Sequence, residues 1–202
     1  PIHLAHLRIA EEAREAAGLD QVLFIPAADP PHKPLAGDVS FELRAAMVQL
    51  AIAANPAFRF SDIEARRGGK SYTVDTLTAL RLERPGDELY FIIGSDSFLE
   101  LGLWHRYSAI FPLASLIVVE RPEKVITEPL QQLPEMVRDQ FVQEADNLLR
   151  HASGTSISCV VGTRLDISSS QLRERIVRHQ SIRYLVPPEI ESFITQKGLY
   201  QP

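Results

Sequence analysis

The stretch ELYFII, residues 88–93, decides the fold of this chain, because it is the clearest buried strand in the sequence. Gly94 follows it and ends the strand. Helices are predicted on both sides, over residues 74–83 and, in a short form, over residues 95–101. The same alternation of strand and helix continues toward both ends of the chain. It predicts right-handed crossovers and a doubly wound, mainly parallel sheet with helices on both faces, which is a Rossmann-like α/β fold.

The remaining elements follow this alternation. Short apolar or alternating runs predict strands at 21–26, 58–63, 115–120 and 156–161. Helical periods predict helices at 7–17, 41–54, 105–111, 168–179 and 188–197. Ser71 or Thr73 is expected to cap the helix at 74–83. Residues 125–150 are polar and uneven, and a helix is expected in their second half.

The composition limits the class of protein. With 202 residues, 45% of them hydrophobic, the chain is predicted to form a single domain over residues 1–202. Its net charge of -5 argues against binding to nucleic acid or to a membrane surface. The lone cysteine, Cys159, excludes an internal disulfide, and no apolar run approaches the ~20 residues that span a bilayer. We therefore expect a soluble cytoplasmic protein with small-molecule partners, and the sequence leaves a homo-oligomer open.

Two histidines stand at the start of the first predicted helix, in the run PIHLAHL, residues 1–7. His3 and His6 are three residues apart, so their side chains project to the same side near a helix N-terminus. That end of a helix carries unpaired N–H groups and partial positive charge, and it attracts anions. One interpretation is a pair of phosphate-contacting histidines. The others are a capping histidine beside a packed one, and two ligands of a zinc site.

A second helix N-terminus suited to an anion is predicted in DISSSQLR, residues 166–173. Ser168 and Gln171 have the spacing of a capping box, which fixes the helix start. Two further hydroxyls and several N–H groups remain at this end, and Arg173 can reach back as a bidentate phosphate clamp. Serines before a helix are also typical of a simple cap. Together with the two histidines, they predict a cradle for a polyphosphate.

Several motifs, taken in order, resemble one enzyme family. PIHLAH is similar to the (H/T)xGH motif of the nucleotidyltransferase superfamily, and ISSSQLR is similar to its ISSTxxR motif. Five further stretches resemble the bacterial nicotinate-nucleotide adenylyltransferases: PPHK (30–33), SYTVDT (71–76), FIIGSDS (91–97), WHR (104–106) and LVPPEIESFITQKGLY (185–200). The resemblance implies transfer of AMP from ATP to nicotinate mononucleotide, which yields nicotinate adenine dinucleotide and pyrophosphate in NAD biosynthesis.

For ATP, the resemblance implies catalytic roles for His3, His6 and Arg173, with His6 nearest the α-phosphate. The ATP-binding residues that it implies are Gly94, Asp96, Ser168, Ser169 and Ser170. Ser168 and Ser170 would hold the β- and γ-phosphates from their helix N-terminus, and Arg173 would brace them. Asp96 would contact the adenosine ribose, and a helix-capping aspartate is its other interpretation.

For nicotinate mononucleotide, the resemblance implies five binding residues: His32, Lys33, Thr73, Trp104 and His105. Trp104, the single tryptophan, would stack on the pyridine ring; simple packing is the alternative. Lys33, with His32, would meet the mononucleotide phosphate, although charged loop residues are usually only solvated. The nicotinate carboxylate would be bound by the backbone amides of Thr73 and His105.

Magnesium is the expected cofactor, because ATP is bound as its Mg²⁺ complex. No carboxylate cluster has the spacing of a dedicated protein metal site, so no metal ligands are predicted in the chain. Residues 168–202 are expected to form the C-terminal helical part of the single domain, which carries the second phosphate-binding motif.

The chain departs from the family pattern in three places. Ala5 replaces the glycine of the first motif, and Ser170 replaces a threonine in the second. The family opens with a strand and a Gly-Gly-Thr-Phe turn, which we expect upstream of residue 1 and which this sequence lacks. Two alternatives stay open: an adenylyltransferase acting on nicotinamide mononucleotide or phosphopantetheine, and a non-catalytic nucleotide-binding relative.

Overall fold

The computed structural model describes residues 1–31, 39–120 and 125–201. Its helices are α1 (Leu4–Ala17), α2 (Phe41–Ile52), α3 (Ile63–Arg67), α4 (Thr73–Glu83), α5 (Ser95–Leu99), α6 (Pro129–Gln132), α7 (Ser169–Val177) and α8 (Pro188–Lys197). Short 3-10 helices lie at Leu101–Leu103, Tyr107–Ala109 and Glu135–Gln140. Its strands are β1 (Val22–Phe24), β2 (Phe58–Phe60), β3 (Tyr90–Gly94), β4 (Ser115–Glu120), β5 (Phe141–Ala145), β6 (Leu148–His151) and β7 (Ser156–Val161).

The chain folds as two compact units, one formed by Pro1–Ser71 with Leu165–Pro202 and the other by Tyr72–Arg164. A single domain over residues 1–202 therefore stays a prediction. In the first unit, β1 and β2 pair in parallel, with Val22 opposite Phe58. Within the described ranges, no helix combines the length and the apolar character that a bilayer span requires.

The core of the first unit joins the two ends of the chain. One buried apolar cluster takes side chains from the start of the chain, from α2, α7 and α8, and from the loops next to these helices: Ile2, Val39, Met47, Leu172, Ile182, Val186, Ile190, Ile194 and Leu199. The backbone N–H of Leu4 donates to the carbonyl of Leu185 at 3.1 Å. Because Ile2 and Leu172 share this cluster, the residues before α1 and the first turns of α7 are held in the same part of the unit.

The second unit is built on a sheet in the order β3-β4-β7-β6-β5. β3, β4 and β7 run parallel, whereas β6 and β5 add an antiparallel hairpin at one edge. Burial is greatest on β4, where only Glu120 is not fully buried, as expected of a strand inside a sheet covered on both faces. α5 begins directly after β3, so it lies at the carboxyl end of a parallel strand, where α/β folds bind ligands.

The prediction of a helix in the second half of residues 125–150 is wrong. Residues from Phe141 to His151 form the β5–β6 hairpin instead, and the preceding turn of helix is a 3-10 segment. Asp146 and Asn147 connect the strands; both residue types favour turns. Asn147 also fixes the hairpin on β7, because its carbonyl accepts the N–H of Cys159 at 2.8 Å and its side chain donates back at 3.2 Å. This long-range bond has no periodic signal in the sequence.

Two other predicted elements are shorter than expected. The strand at 58–63 stops at Phe60, because Ile63 already begins α3. The helix at 105–111 is reduced to the 3-10 turn Tyr107–Ala109, which follows Arg106 in a left-handed conformation with φ of 50°. The other predicted strands and helices are confirmed within a few residues of their ends.

His151 on β6 makes the stability of the protein sensitive to acid. It is buried beside the rings of Phe111 and Phe141, and its Nδ1 accepts the N–H of Ser153 at 3.1 Å. Burial lowers the pKa of His151 below its ordinary value of 6.5, because desolvation disfavours the charged imidazole. The unfolded chain therefore takes up this proton first, so the free energy of unfolding falls as the pH drops below about 6.5.

We expect His151→Gln to remove this part of the pH dependence. The measurement is urea unfolding of both proteins at pH 7.5 and pH 5.5. The wild type should lose more stability than the variant between these two values. Equal losses in both proteins would show that His151 is not the group that titrates.

Candidate active site

The N-terminal ends of α1 and α7 are joined by a direct hydrogen bond. The hydroxyl of Ser169, at the start of α7, donates to the carbonyl of Pro1 at 2.9 Å. The predicted capping box is confirmed, since Ser168 Oγ accepts the N–H of Gln171 at 3.2 Å and the Gln171 side chain accepts the N–H of Ser168 at 2.9 Å. Two helix N-termini, each with the partial positive charge of such an end, therefore lie side by side, as the polyphosphate cradle requires.

The capping box gives a testable stability difference between neighbouring serines. Ser168→Ala removes the acceptor for a first-turn N–H and should lower the free energy of unfolding by about 1 kcal/mol. Ser170→Ala is the matched control, because the exposed hydroxyl of Ser170 accepts from the Arg173 side chain and from no backbone N–H of the described residues. Urea denaturation measures both. A loss in Ser170→Ala as large as that in Ser168→Ala would contradict the capping assignment.

His3 and His6 lie together at the start of α1. His3 is the N-cap and is buried, His6 is exposed, and their ring centroids are 3.7 Å apart. His6 Nδ1 accepts the backbone N–H of His3 at 3.3 Å. In this ring orientation the proton of a neutral His6 is on Nε2, which is then a hydrogen-bond donor. The capping and phosphate interpretations of His6 are thus compatible, because different nitrogens serve them.

Arg173 lies one turn into α7, and its Nη2 donates to Ser170 Oγ at 3.0 Å. No carboxylate of the described residues forms an ion pair with this guanidinium. Its charge is therefore available to a ligand at the α7 N-terminus. For the zinc interpretation, no group of three or more His, Cys, Asp or Glu side chains suited to a metal ion occurs in the described part of the chain.

In the second unit, Gly94 ends β3 and is the N-cap of α5. Asp96 is the second residue of that helix rather than its cap, so the capping interpretation of Asp96 is wrong. Its carboxylate lies in the first turn of α5, where negative charge is favourable. Gly94 and Asp96 both stand at the carboxyl end of β3, which is the position expected for a ligand site.

Trp104 and His105 each contact an aromatic side chain that the sequence analysis did not select. Trp104 is half-buried, and its ring packs edge-on against Phe91, with the ring centroids 6.0 Å apart. The side chain is therefore packed and also partly exposed to solvent. The exposed ring of His105 lies 4.2 Å from the ring of Tyr72. Tyr72 is the central residue of the SYT motif, and that motif is the signal that could have found it.

Thr73 is the first residue of α4, and Tyr72, not Ser71 or Thr73, is its N-cap. Ser71 does not cap α4, because its Oγ accepts the N–H groups of Ala28 and Asp29, both at 3.0 Å. The backbone N–H groups of Thr73 and His105 have no acceptor among the residues that the structure describes. His32 and Lys33 lie outside the described residues.

The chain has helix N-termini that carry imidazoles, hydroxyls and a guanidinium, and it has a largely parallel sheet. These are the features of a nucleotidyltransferase. Residues 1–175 match the family model described as cytidylyltransferase-like, and the chain belongs to this family. Among curated relatives, a protein of Trichlorobacter lovleyi is 90% identical over 202 residues, with 100% of this chain and 95% of the relative covered. One of Pelobacter propionicus is 55% identical, with 99% and 93% covered. Both are named "Probable nicotinate-nucleotide adenylyltransferase", and the chain is a member of that group of nucleotidyltransferases.

Solved structures agree on the fold. The nicotinic acid mononucleotide adenylyltransferase of Plasmodium falciparum, complexed with NaAD, matches with a TM-score of 0.76 at 18% identity, covering 99% of this chain and 92% of that one. The structure of a putative nicotinate-nucleotide adenylyltransferase from Vibrio parahaemolyticus matches with a TM-score of 0.64 at 15% identity, covering 99% and 88%. The predicted Rossmann-like fold with a mainly parallel sheet is confirmed.

Proposed function

We propose that this chain transfers AMP from ATP to nicotinate mononucleotide, with nicotinate adenine dinucleotide and pyrophosphate as products. The structural observation that carries the proposal is the Ser169 to Pro1 hydrogen bond, which holds the two anion-binding helix ends together. The names of the relatives that are 90% and 55% identical support the same reaction. This reaction is a step of NAD biosynthesis.

The reaction needs no nucleophilic side chain. A phosphate oxygen of the mononucleotide attacks the α-phosphorus of ATP, a new P–O bond forms, and the bond to the β-phosphate oxygen breaks, so pyrophosphate leaves with the electron pair. Holding two anionic reactants in line contributes roughly 7–11 kcal/mol to such a step. A helix terminus contributes about 0.3–2 kcal/mol per charge. Positioning is therefore the larger effect, and charge stabilisation is second.

We assign the ATP phosphates to the paired helix ends. The Nε2–H of His6 donates to the α-phosphate, where negative charge develops, while buried His3 holds the His6 ring in place. Ser168, Ser170 and Arg173 bind the β- and γ-phosphates. Ser169 contributes its backbone N–H only, because its hydroxyl already donates to Pro1.

The nucleoside parts of both substrates are assigned to the residues that the sequence resemblance implies. Gly94 and Asp96 bind the adenosine ribose at the end of β3. Trp104 stacks on the pyridine ring, and its half-buried, edge-supported ring suits that role. The backbone amides of Thr73 and His105 bind the nicotinate carboxylate, because N–H donors that have no acceptor among the described residues favour an acid over an amide.

The remaining roles rest on the sequence resemblance. His32 and Lys33 bind the mononucleotide phosphate. Mg²⁺ would enter as its complex with ATP, and it would shield the phosphates from one another. The proposed location is the cytoplasm.

The test is pyrophosphate release by the purified chain with ATP and, in separate reactions, nicotinate mononucleotide, its amide or phosphopantetheine as the acceptor. We expect release with both substrates present and a higher kcat/KM for the acid. Faster release with the amide or with phosphopantetheine would support the related adenylyltransferases instead. ATP binding without any release would support the non-catalytic alternative.

A further inference from the structure

Arg44 on α2 has no role in the functions assigned so far, yet its side chain is held firmly in the first unit. Its Nη1 donates to the carbonyl of Ala27 at 2.6 Å. The guanidinium carbon lies 5.6 Å from the centre of the Phe41 ring, which is within cation–π range. These two contacts direct the guanidinium group and leave its other N–H groups for a different partner.

Two other nitrogens of Arg44 are buried with no hydrogen-bond acceptor in the described part of the chain. Nε and Nη2 are shielded from solvent, and neither donates to an acceptor among the described residues. No carboxylate in the described ranges forms an ion pair with Arg44 either. Burial lowers the pKa of this guanidinium, although an arginine stays protonated at any ordinary pH. A buried charged group whose N–H donors have no acceptor lowers the stability of the fold, and a bound anion would remove that cost.

Arg44 also shares its surroundings with Arg173. Burial raises the pKa of the Tyr200 hydroxyl, and the positive charges of Arg173 and Arg44 oppose that rise, so both guanidinium groups act on this one hydroxyl. The same two groups interact electrostatically with Pro1, whose carbonyl accepts the Ser169 hydroxyl. Two cations without carboxylate partners in the described ranges therefore lie close to the joined helix ends.

We propose that Arg44 is a further phosphate-binding residue of this active site, and the proposal rests on the function proposed above. Its Nε–H and Nη2–H donate to an anionic phosphate oxygen of a bound substrate, and its link to Ala27 sets the direction of the fork. Both substrates carry phosphate oxygens of this chemistry, in the triphosphate of ATP and in the 5′-phosphate of the mononucleotide. Binding experiments with each substrate distinguish the two sources.

The test compares Arg44→Met and Arg44→Lys with the wild type by calorimetric titration of ATP and of nicotinate mononucleotide separately. Arg8→Met is the control for loss of one positive charge, because Arg8 is paired with Glu12 on the exposed face of α1. We expect Arg44→Met to raise the Kd of one substrate at least tenfold, with the other Kd and the control unchanged. The unliganded variant should unfold at the wild-type temperature or above it, because an uncompensated buried charge is gone.

Arg44→Lys keeps the charge but lacks the planar fork, so it should weaken the same substrate and no other. Wild-type Kd values for both substrates in both variants would overturn the proposal. A lowered unfolding temperature with equal weakening of both substrates would also overturn it, since that result assigns Arg44 a structural role through Ala27. These outcomes are separate from the catalytic one: failure of the wild type to release pyrophosphate would remove the proposed reaction and leave the binding result standing.

Discussion

Replacing His6 with alanine will lower the turnover number by about 10²–10³-fold, the range observed when one preorganised donor is removed from a transition state. The structure gives the reason, because His6 Nδ1 accepts the N–H of His3, and the proton of the neutral ring is then on Nε2. The measurement is steady-state pyrophosphate release with saturating ATP and nicotinate mononucleotide. The variant should stay folded, and its unfolding temperature should fall only by what the loss of the His3 N–H to His6 Nδ1 hydrogen bond costs, since the His6 side chain is exposed.

Two further variants separate the roles of the two nitrogens. In His6→Asn, the amide oxygen can replace Nδ1 as the acceptor for His3, but no donor remains at the Nε2 position. We expect it to be as inactive as the alanine variant. His6→Gln places an amide nitrogen near the Nε2 position and should recover part of the activity. An alanine variant within threefold of the wild type would remove His6 from the mechanism.

Replacing Arg173 with glutamine will lower kcat/KM for ATP by about 10–100-fold, the effect of losing a charge-assisted hydrogen bond of roughly 1.5–3 kcal/mol. Arg173 has no carboxylate partner among the described residues, so its charge is not already neutralised. Steady-state kinetics with ATP varied gives the value. The loss should appear mainly with ATP and less with the mononucleotide.

The matched control for this variant is Arg175→Gln on the same helix. Arg175 Nε donates to the carbonyl of Ser181 at 2.9 Å, on the side of α7 away from its start. The control removes the same charge from the same helix and should keep wild-type kinetics. Equal losses in the two variants would mean that the net charge of α7, rather than a contact of Arg173, affects ATP.

The parts of the site that could be predicted from the sequence depend on local spacing. Ser168 and Gln171 form a capping box because three residues separate them, and that geometry is the same in any fold. Gly18 and Gly198 end α1 and α8 with φ of 62° and 59°, a conformation that favours glycine. Such features are visible in the sequence because they need no partner from elsewhere in the chain.

The parts that could not be predicted depend on partners far away in the sequence. Ser71 is expected to cap α4 because it stands just before that helix. Its hydroxyl instead accepts backbone N–H groups of residues more than forty positions earlier. Arg44 looks like one of many charged helix residues, and only the packing of the first unit buries its N–H groups. The β5–β6 hairpin likewise depends on Asn147 bonding to β7. In each of these cases, a contact with a distant part of the chain outweighs the local preference.

The most direct test of the account is the binding of inorganic tripolyphosphate, which has the charge of the ATP chain and no nucleoside. Calorimetric titration should be done on the wild type, His6→Ala and Arg173→Gln. If the ends of α1 and α7 bind one triphosphate, tripolyphosphate binds the wild type in competition with ATP, and each variant weakens it at least several-fold. Wild-type affinity in either variant would contradict the account, because the two helix ends would then not share a ligand.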